Sequence, residues 1–249
     1  RSYPGEVATI TGGAYLGGIS ARYLIFDSLV FNGSSFADGI KITTSSSTSQ
    51  AATIDQAAHH IRVINSEIKN IGGQGFFMSD MAGSNEFINN KIHDGGGSAV
   101  GPCYDHGFYI GSSDNLIEGN EIYNWSGYGI TIYNGYEEYG WSHETANRNI
   151  MRNNYIHDNG RTCTGTVAGI GISSGDDNEA YNNIITNTSR ATGGTGIGIQ
   201  IDGCYGVDCG YRARVYNNTV YNNTGVGIYD QPEAFNSDIR NNIIYNNSQ

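Results

Sequence analysis

The sequence predicts an all-β chain wound as a single-stranded parallel β-helix, a solenoid of about eight coils, and three observations predict it. An apolar-x-Asn-Asn-x-apolar pattern recurs along the chain. A short run of period two follows each copy, as a strand with one inward face requires. No stretch carries a convincing helical period, and 36 glycines against three prolines suit many tight turns rather than collagen or disorder.

The repeat begins with a degenerate copy, Phe26-Asp27-Ser28-Leu29-Val30. It continues through Ile64-Asn65-Ser66-Glu67-Ile68, Ile88-Asn89-Asn90-Lys91-Ile92 and Ile117-Glu118-Gly119-Asn120-Glu121-Ile122, and later copies run to Ile239-Arg240-Asn241-Asn242-Ile243-Ile244. The spacing, roughly 24 to 38 residues, is too irregular for a leucine-rich or ankyrin array. Asn90, Asn120, Asn154, Asn183, Asn218 and Asn242 share one repeat position, so they are expected to stack at one corner as an amide ladder. His93 and His157 follow the core in equivalent positions and read as corner residues.

The second runs include Gly39-Ile40-Lys41-Ile42, Gly75-Phe76-Phe77-Met78, Gly107-Phe108-Tyr109-Ile110 and Gly129-Ile130-Thr131-Ile132. Their apolar residues point inward, so Lys41, Phe77, Tyr109, Thr131, Gly171, Gly198 and Tyr229 are expected to form one outward column. Thr43, Ser79, Gly111, Tyr133, Ser173 and Gln200 form the next. Aromatic faces pack on sugar rings and hydroxyls bond to them, so this surface suits a saccharide.

Three long insertions fall on consecutive coils, and loops on a rigid scaffold are where function concentrates. The first delivers Tyr104-Asp105-His106 into Phe108-Tyr109-Ile110. The second runs from Tyr133 to Glu144 and carries Tyr136, Trp141 and His143, and the third carries Arg161 and Cys163. Cys204 and Cys209 enclose a short loop that a local disulfide closes, and Cys103 pairs with Cys163 if their loops stack. Zinc spacing is absent from the four cysteines, and their even count suits an oxidising, secreted or cell-surface location.

The formal charge of -11 argues against nucleic acid as a partner, and no apolar run approaches the roughly 20 residues of a spanning helix. The chain starts and stops within repeats. Residues 1–249 are therefore expected to be one β-helix domain cut from a longer chain, its terminal caps missing, with self-association or flanking domains at the uncapped ends.

Removing a proton α to a uronate carboxylate needs a base, an acid for the leaving oxygen and something to neutralise the carboxylate. His106 and Tyr104 are candidates for base and acid, Asp105 for orienting an imidazole, and Lys41, Arg148, Arg152 or Arg161 for neutralising charge; Tyr109 stands beside them. Phe77, Thr131, Tyr133, Tyr136, Trp141 and His143 are the candidate substrate contacts. Over essentially the whole chain the repeat resembles the right-handed parallel β-helix family, whose members include lyases, hydrolases, epimerases, tailspikes and adhesins. Tyr104-Asp105-His106 is similar to the Tyr, Asp and His combination of alginate C5-epimerases and related lyases. Those enzymes carry Asp-Pro-His, whereas Asp105 and His106 are adjacent.

The resemblance implies a polysaccharide substrate and lyase or C5-epimerase chemistry. Two alternatives stay open: a glycoside hydrolase pairing carboxylates among Asp38, Asp80, Asp105, Glu137, Glu138 and Glu144, or a non-catalytic glycan-binding or structural β-helix. No cofactor is expected; Asp176, Asp177 and Asp202 are the residues a calcium ion would use.

Overall fold

The computed structural model describes all residues except 34–37, 44–53, 80, 98–100, 102, 135–145, 190, 203, 206–207, 210, 233 and 249, with backbone alone at 204–205 and 208–209. Three parallel sheets of nine, eight and eight strands run the length of the chain. A typical coil passes through Leu116–Glu118, Glu121–Tyr123 and Ile130–Ile132, one strand in each sheet. Each strand pairs in parallel with its counterparts one coil before and after, as in Phe77↔Tyr109↔Thr131. The sequence is therefore a parallel β-helix of about eight coils, as its repeat predicts. Among the described residues, no helix is long and apolar enough to cross a membrane.

The recurring Asn-Asn pair is a corner between two strands, and its two residues do different work. The first adopts left-handed backbone, with φ of 55° at Asn89, 58° at Asn153 and 54° at Asn182, a conformation Asn tolerates better than most residues. The second points inward. Asn120 donates through its backbone N–H and its side chain to Asn154 Oδ1 at 2.9 and 3.1 Å, and Asn154 repeats this to Asn183 at 3.0 Å. Stacked amides thus satisfy buried backbone groups that water cannot reach. The expected ladder is present, and two further ladders occupy the other corners. Asn85, Asn115, Asn149 and Asn178 bond in series at one, and Asn223 bonds to Asn247 at the other.

Between the sheets lies a continuous apolar core of stacked Ile, Val, Phe and Met side chains. Phe76 and Phe108 stack at 4.6 Å between ring centroids, with Phe87 against both. Trp125, fully buried, occupies a corner where coils need room. Its ring fills the space above Gly95, where a Cβ would come within 2.1 Å of it.

Two expectations change. Gly171 pairs with Gln200, and Gln200 with Tyr229, so Gln200 and not Gly198 belongs to the first outward column. Gly198 instead joins Gly169 and Gly227, where backbones run too close for a side chain: its Cβ would lie 2.4 Å from the Gly227 carbonyl. The Gly-Ile-Gly-Ile repetition around Gly196 disguises this slip of two residues. His93 and His157 end strands rather than turning corners, and stack on Tyr123 from either side at 4.8 and 4.9 Å.

A candidate active-site groove on the second sheet

The sheet that contains Phe108–Ile110 presents its outward column as a floor. Phe77 and Tyr109 stack at 5.2 Å, and Lys41 Nζ lies 4.5 Å above the Phe77 ring, continuing the column. Lys41 also approaches Asp38 Oδ2 at 3.8 Å. One wall comes from the loops that precede Phe108 and Thr166, two coils apart, joined by the Cys103–Cys163 disulfide with a Cα–Cα distance of 4.7 Å. Floor and wall enclose a hollow of about 440 Å³, lined by Tyr104, His106, Tyr109, Tyr128, Thr131 and Tyr133 with the disulfide loops.

His106 is only 5% exposed, yet it lines this hollow. Its backbone N–H donates to Gln74 Oε1 at 2.7 Å, and its ring stacks on Tyr109 at 6.0 Å. The backbone N–H of Tyr128 donates to Nδ1 at 3.0 Å. A nitrogen that accepts carries no proton, so the neutral ring bears its hydrogen on Nε2. Burial pushes the pKa of His106 down to about 3. The imidazole is thus a neutral hydrogen-bond donor, oriented by backbone. Gly127 makes this possible, since a Cβ there would lie 2.8 Å from Nδ1 and 2.7 Å from the Asp105 carbonyl.

The other sequence candidates fall in several places. Tyr104, 64% exposed, stands on the wall, its carbonyl accepting from Gln74 Nε2. The Asp105 side chain accepts from the Gly97 N–H at 2.8 Å through Oδ2. Thr131 lines the floor but is buried, and Tyr133 meets Tyr109 edge-on at 6.3 Å. Arg161 is exposed on the neighbouring corner, where its N–H bonds to the Trp125 carbonyl and its charge acts on Asp94; it does not line the hollow. Tyr136, Trp141 and His143 lie outside the described residues, as do Asp80, Glu137, Glu138 and Glu144. Cys204 and Cys209 face each other in a two-residue antiparallel pairing, their side chains undescribed.

Sequence reasoning missed Tyr128. Its ring lies over Gly171, where a Cβ would come within 3.0 Å, so it crosses the sheet surface at the boundary between two hollows. It stands one coil after His106 at the same repeat position, two residues before Ile130, and a bulky aromatic where the next coil has Ala168 was the available signal. The acidic candidates for a cation are engaged by protein groups. Arg212 pairs with Asp176 and Asp177 at 3.1 and 2.8 Å, and Asp202 accepts from Ser173, Gln200 and Gln231. Among the described residues no three His, Cys, Asp or Glu side chains are grouped to hold a metal ion.

A model of the right handed beta helix region matches residues 101–249, a span that includes the His106 loop and every later coil. The chain belongs to the right-handed β-helix family. Among solved structures, this β-helix is similar to the A-module of mannuronan C-5 epimerase AlgE4 from Azotobacter vinelandii. The TM-score is 0.59 at 14% identity, covering 98% of this chain and 77% of that one. It is also similar to a glycoside hydrolase, TM-score 0.53 at 12% identity, and to the enzymatically active domain of tailspike protein 2 from bacteriophage CBA120, TM-score 0.53 at 11% identity. The chain covers 90% and 97% of itself in those two matches but spans only 38% and 39% of their lengths. At such identities the likeness establishes the fold alone. No curated protein sequence matches the chain.

Proposed function

We propose that this β-helix protein is a secreted enzyme acting on a uronate-containing polysaccharide by abstraction of the C5 proton, as a lyase or a C5-epimerase. The observation that carries the reading is His106, held neutral by burial and by the Tyr128 N–H, on a groove whose other polar side chains are hydroxyls of Tyr, Thr and Ser. A neutral imidazole N–H polarises a carbonyl oxygen without itself giving up a proton, so His106 Nε2 serves the substrate carboxylate. Tyr104 and Tyr109 then act from wall and floor as proton acceptor and donor. One, as the phenolate left when its hydroxyl proton passes to solvent, takes H5, and the electron pair moves into the carboxylate. Return of a proton from the opposite face gives the C5 epimer; expulsion of the C4 oxygen, with a proton supplied to it, gives an unsaturated sugar.

Lys41 lies two strands from Tyr109, roughly 10 Å at the usual strand spacing, which suits the carboxylate of a neighbouring unit. The similarity to an epimerase module and the disulfide, which suits an oxidising compartment, support the reading. The test is incubation with a panel of uronate polysaccharides. Absorbance of an unsaturated product marks a lyase and C5 exchange in heavy water without cleavage marks an epimerase. His106→Ala is expected to abolish either while the protein stays folded. A glycan bound and returned unchanged would overturn the enzymatic reading in favour of a binding module.

One observation favours a hydrolase as the second reading. Burial pushes the Asp38 carboxyl up against the pull of Lys41, with the charge of Asp105 acting in the same direction as burial. Glycoside hydrolysis uses one carboxyl group raised toward its acid form together with a second carboxylate. New reducing ends without unsaturation, lost in Asp38→Asn, would select it.

A further inference from the structure

Beyond Tyr128 the groove continues into a second hollow of about 570 Å³ that reaches Tyr229. Tyr128 and Thr166 line both hollows, so the two are consecutive lengths of one groove along the sheet. Their chemistry differs. The first holds His106 and leads toward Lys41, whereas no Lys, Arg or His is among the described residues lining the second.

Asp202, 3% exposed, organises this second length from beneath. Its Oδ2 accepts from the Ser173 hydroxyl, and its Oδ1 accepts from the side-chain amides of Gln200 and Gln231, the latter at 2.7 Å. With its NH₂ committed to Asp202, the Gln200 amide turns its carbonyl oxygen the other way. That oxygen is buried and has no hydrogen-bond partner among the described residues, on a residue only 9% exposed that lines the hollow. An acceptor left so is costly, and a donor from outside these residues, a water or a ligand hydroxyl that replaces it, satisfies it. A uronate residue carries hydroxyls too, but its carboxylate would stand near the Asp202 carboxylate with no Lys, Arg or His among the described lining residues to offset the two charges. A neutral sugar brings hydroxyl donors. Tyr229, the cross-strand neighbour of Gln200 and 39% exposed, offers a ring face, and Ile197 and Val226 offer apolar contact for sugar C–H groups.

We propose that the hollow between Tyr128 and Tyr229 is a subsite for a neutral sugar, one hydroxyl of which donates to Gln200 Oε1. The inference rests on the groove being a glycan site. It makes the substrate a mixed polysaccharide, with uronate at His106 and a neutral residue on the far side of Tyr128.

The experiment is calorimetric titration of the full chain with neutral gluco-, manno-, galacto- and xylo-oligosaccharides, and with oligomannuronate and oligogalacturonate as charged counterparts. At least one neutral oligosaccharide is expected to bind, and Gln200→Leu and Tyr229→Ala each to weaken it tenfold or more. Because Tyr229 is partly exposed, Tyr229→Ala keeps the test valid if Gln200→Leu disturbs the fold. Failure of every neutral oligosaccharide to bind overturns the proposal, as does unchanged affinity in Tyr229→Ala, or uronate oligomers that lose as much affinity in that variant as the neutral ones. Turnover of uronate polymers is read separately, so its absence beside intact neutral binding sinks the enzymatic reading and leaves this subsite standing.

Discussion

The backbone N–H of Tyr128 donates to Nδ1 of His106 at 3.0 Å, from one coil to the next. Protonating that nitrogen breaks the bond and leaves a buried cation facing a donor. The contact therefore fixes the tautomer as well as the position of the ring, and leaves Nε2–H as the hydrogen-bond donor of the neutral imidazole.

Acid stability provides the first measurement. The pKa of His106 is about 3 in the folded chain against 6.5 as the ordinary value. Below 6.5 the unfolded chain takes up a proton that the folded one refuses. The contribution to stability is complete above 6.5 and declines by roughly 1.4 kcal/mol per pH unit until about 3. Urea unfolding of wild type and His106→Gln across that window is expected to show slopes differing by about one proton. Parallel slopes would mean that the imidazole is accessible to protons.

Gly127 provides the second. A Cβ at this position would lie 2.8 Å from His106 Nδ1, 2.7 Å from the Asp105 carbonyl and 2.9 Å from the Cys103 carbonyl. Gly127→Ala must push the 103–106 loop away from Tyr128, at a cost of about 1–3 kcal/mol. Turnover is expected to fall tenfold or more with a smaller change in KM, since the loop remains but its donor is misplaced. Wild-type turnover in this variant would show that the Tyr128 to His106 bond is dispensable.

The fold was legible because repetition reports the same constraint many times. Seven Asn-containing corners identify the solenoid even though any one Asn-Asn pair is weak. The register at Gln200 was not legible, because Gly196-Ile197-Gly198-Ile199 fits the inward pattern in two ways and only the close glycine column selects one. Tyr104, Asp105 and His106 were visible as a group of proton-transfer residues on one loop. What orients the imidazole was not, because a backbone N–H leaves no mark in side-chain identity. The role of Tyr128 depends on Gly171, distant in sequence but beneath its ring.

The two asparagines of one corner separate backbone strain from ladder bonding. Asn154→Ala deletes donation to the Ile117 carbonyl at 2.9 Å and leaves the Asn120 N–H without its acceptor. Buried groups left unpaired cost roughly 1–3 kcal/mol each, so a loss of about 3 kcal/mol is expected. Asn153, with φ of 58°, has a conformational role instead. Asn153→Gly is expected to lie within about 0.5 kcal/mol of wild type, and Asn153→Val to cost about 1–2 kcal/mol. Chemical denaturation of the three variants checks the order; an Asn153→Val as costly as Asn154→Ala would contradict the division.

Reduction of Cys103–Cys163 tests how the groove wall is held. The bridge closes 60 residues of chain and ties loops two coils apart, so its loss is expected to cost about 2–4 kcal/mol. A solenoid transmits contacts mainly between neighbouring coils, which confines the effect. Hydrogen exchange in Cys103→Ser/Cys163→Ser is expected to rise across the loops before Phe108 and Thr166, while Thr219–Tyr221 and Ile228–Asp230 keep their protection. On the proposed function, in which Tyr104 and His106 act from the released loop, turnover should fall with the wall, and neutral-sugar binding at Tyr229 should persist. If exchange rises equally in all coils, the bridge stabilises the molecule globally and the groove wall is not its particular charge.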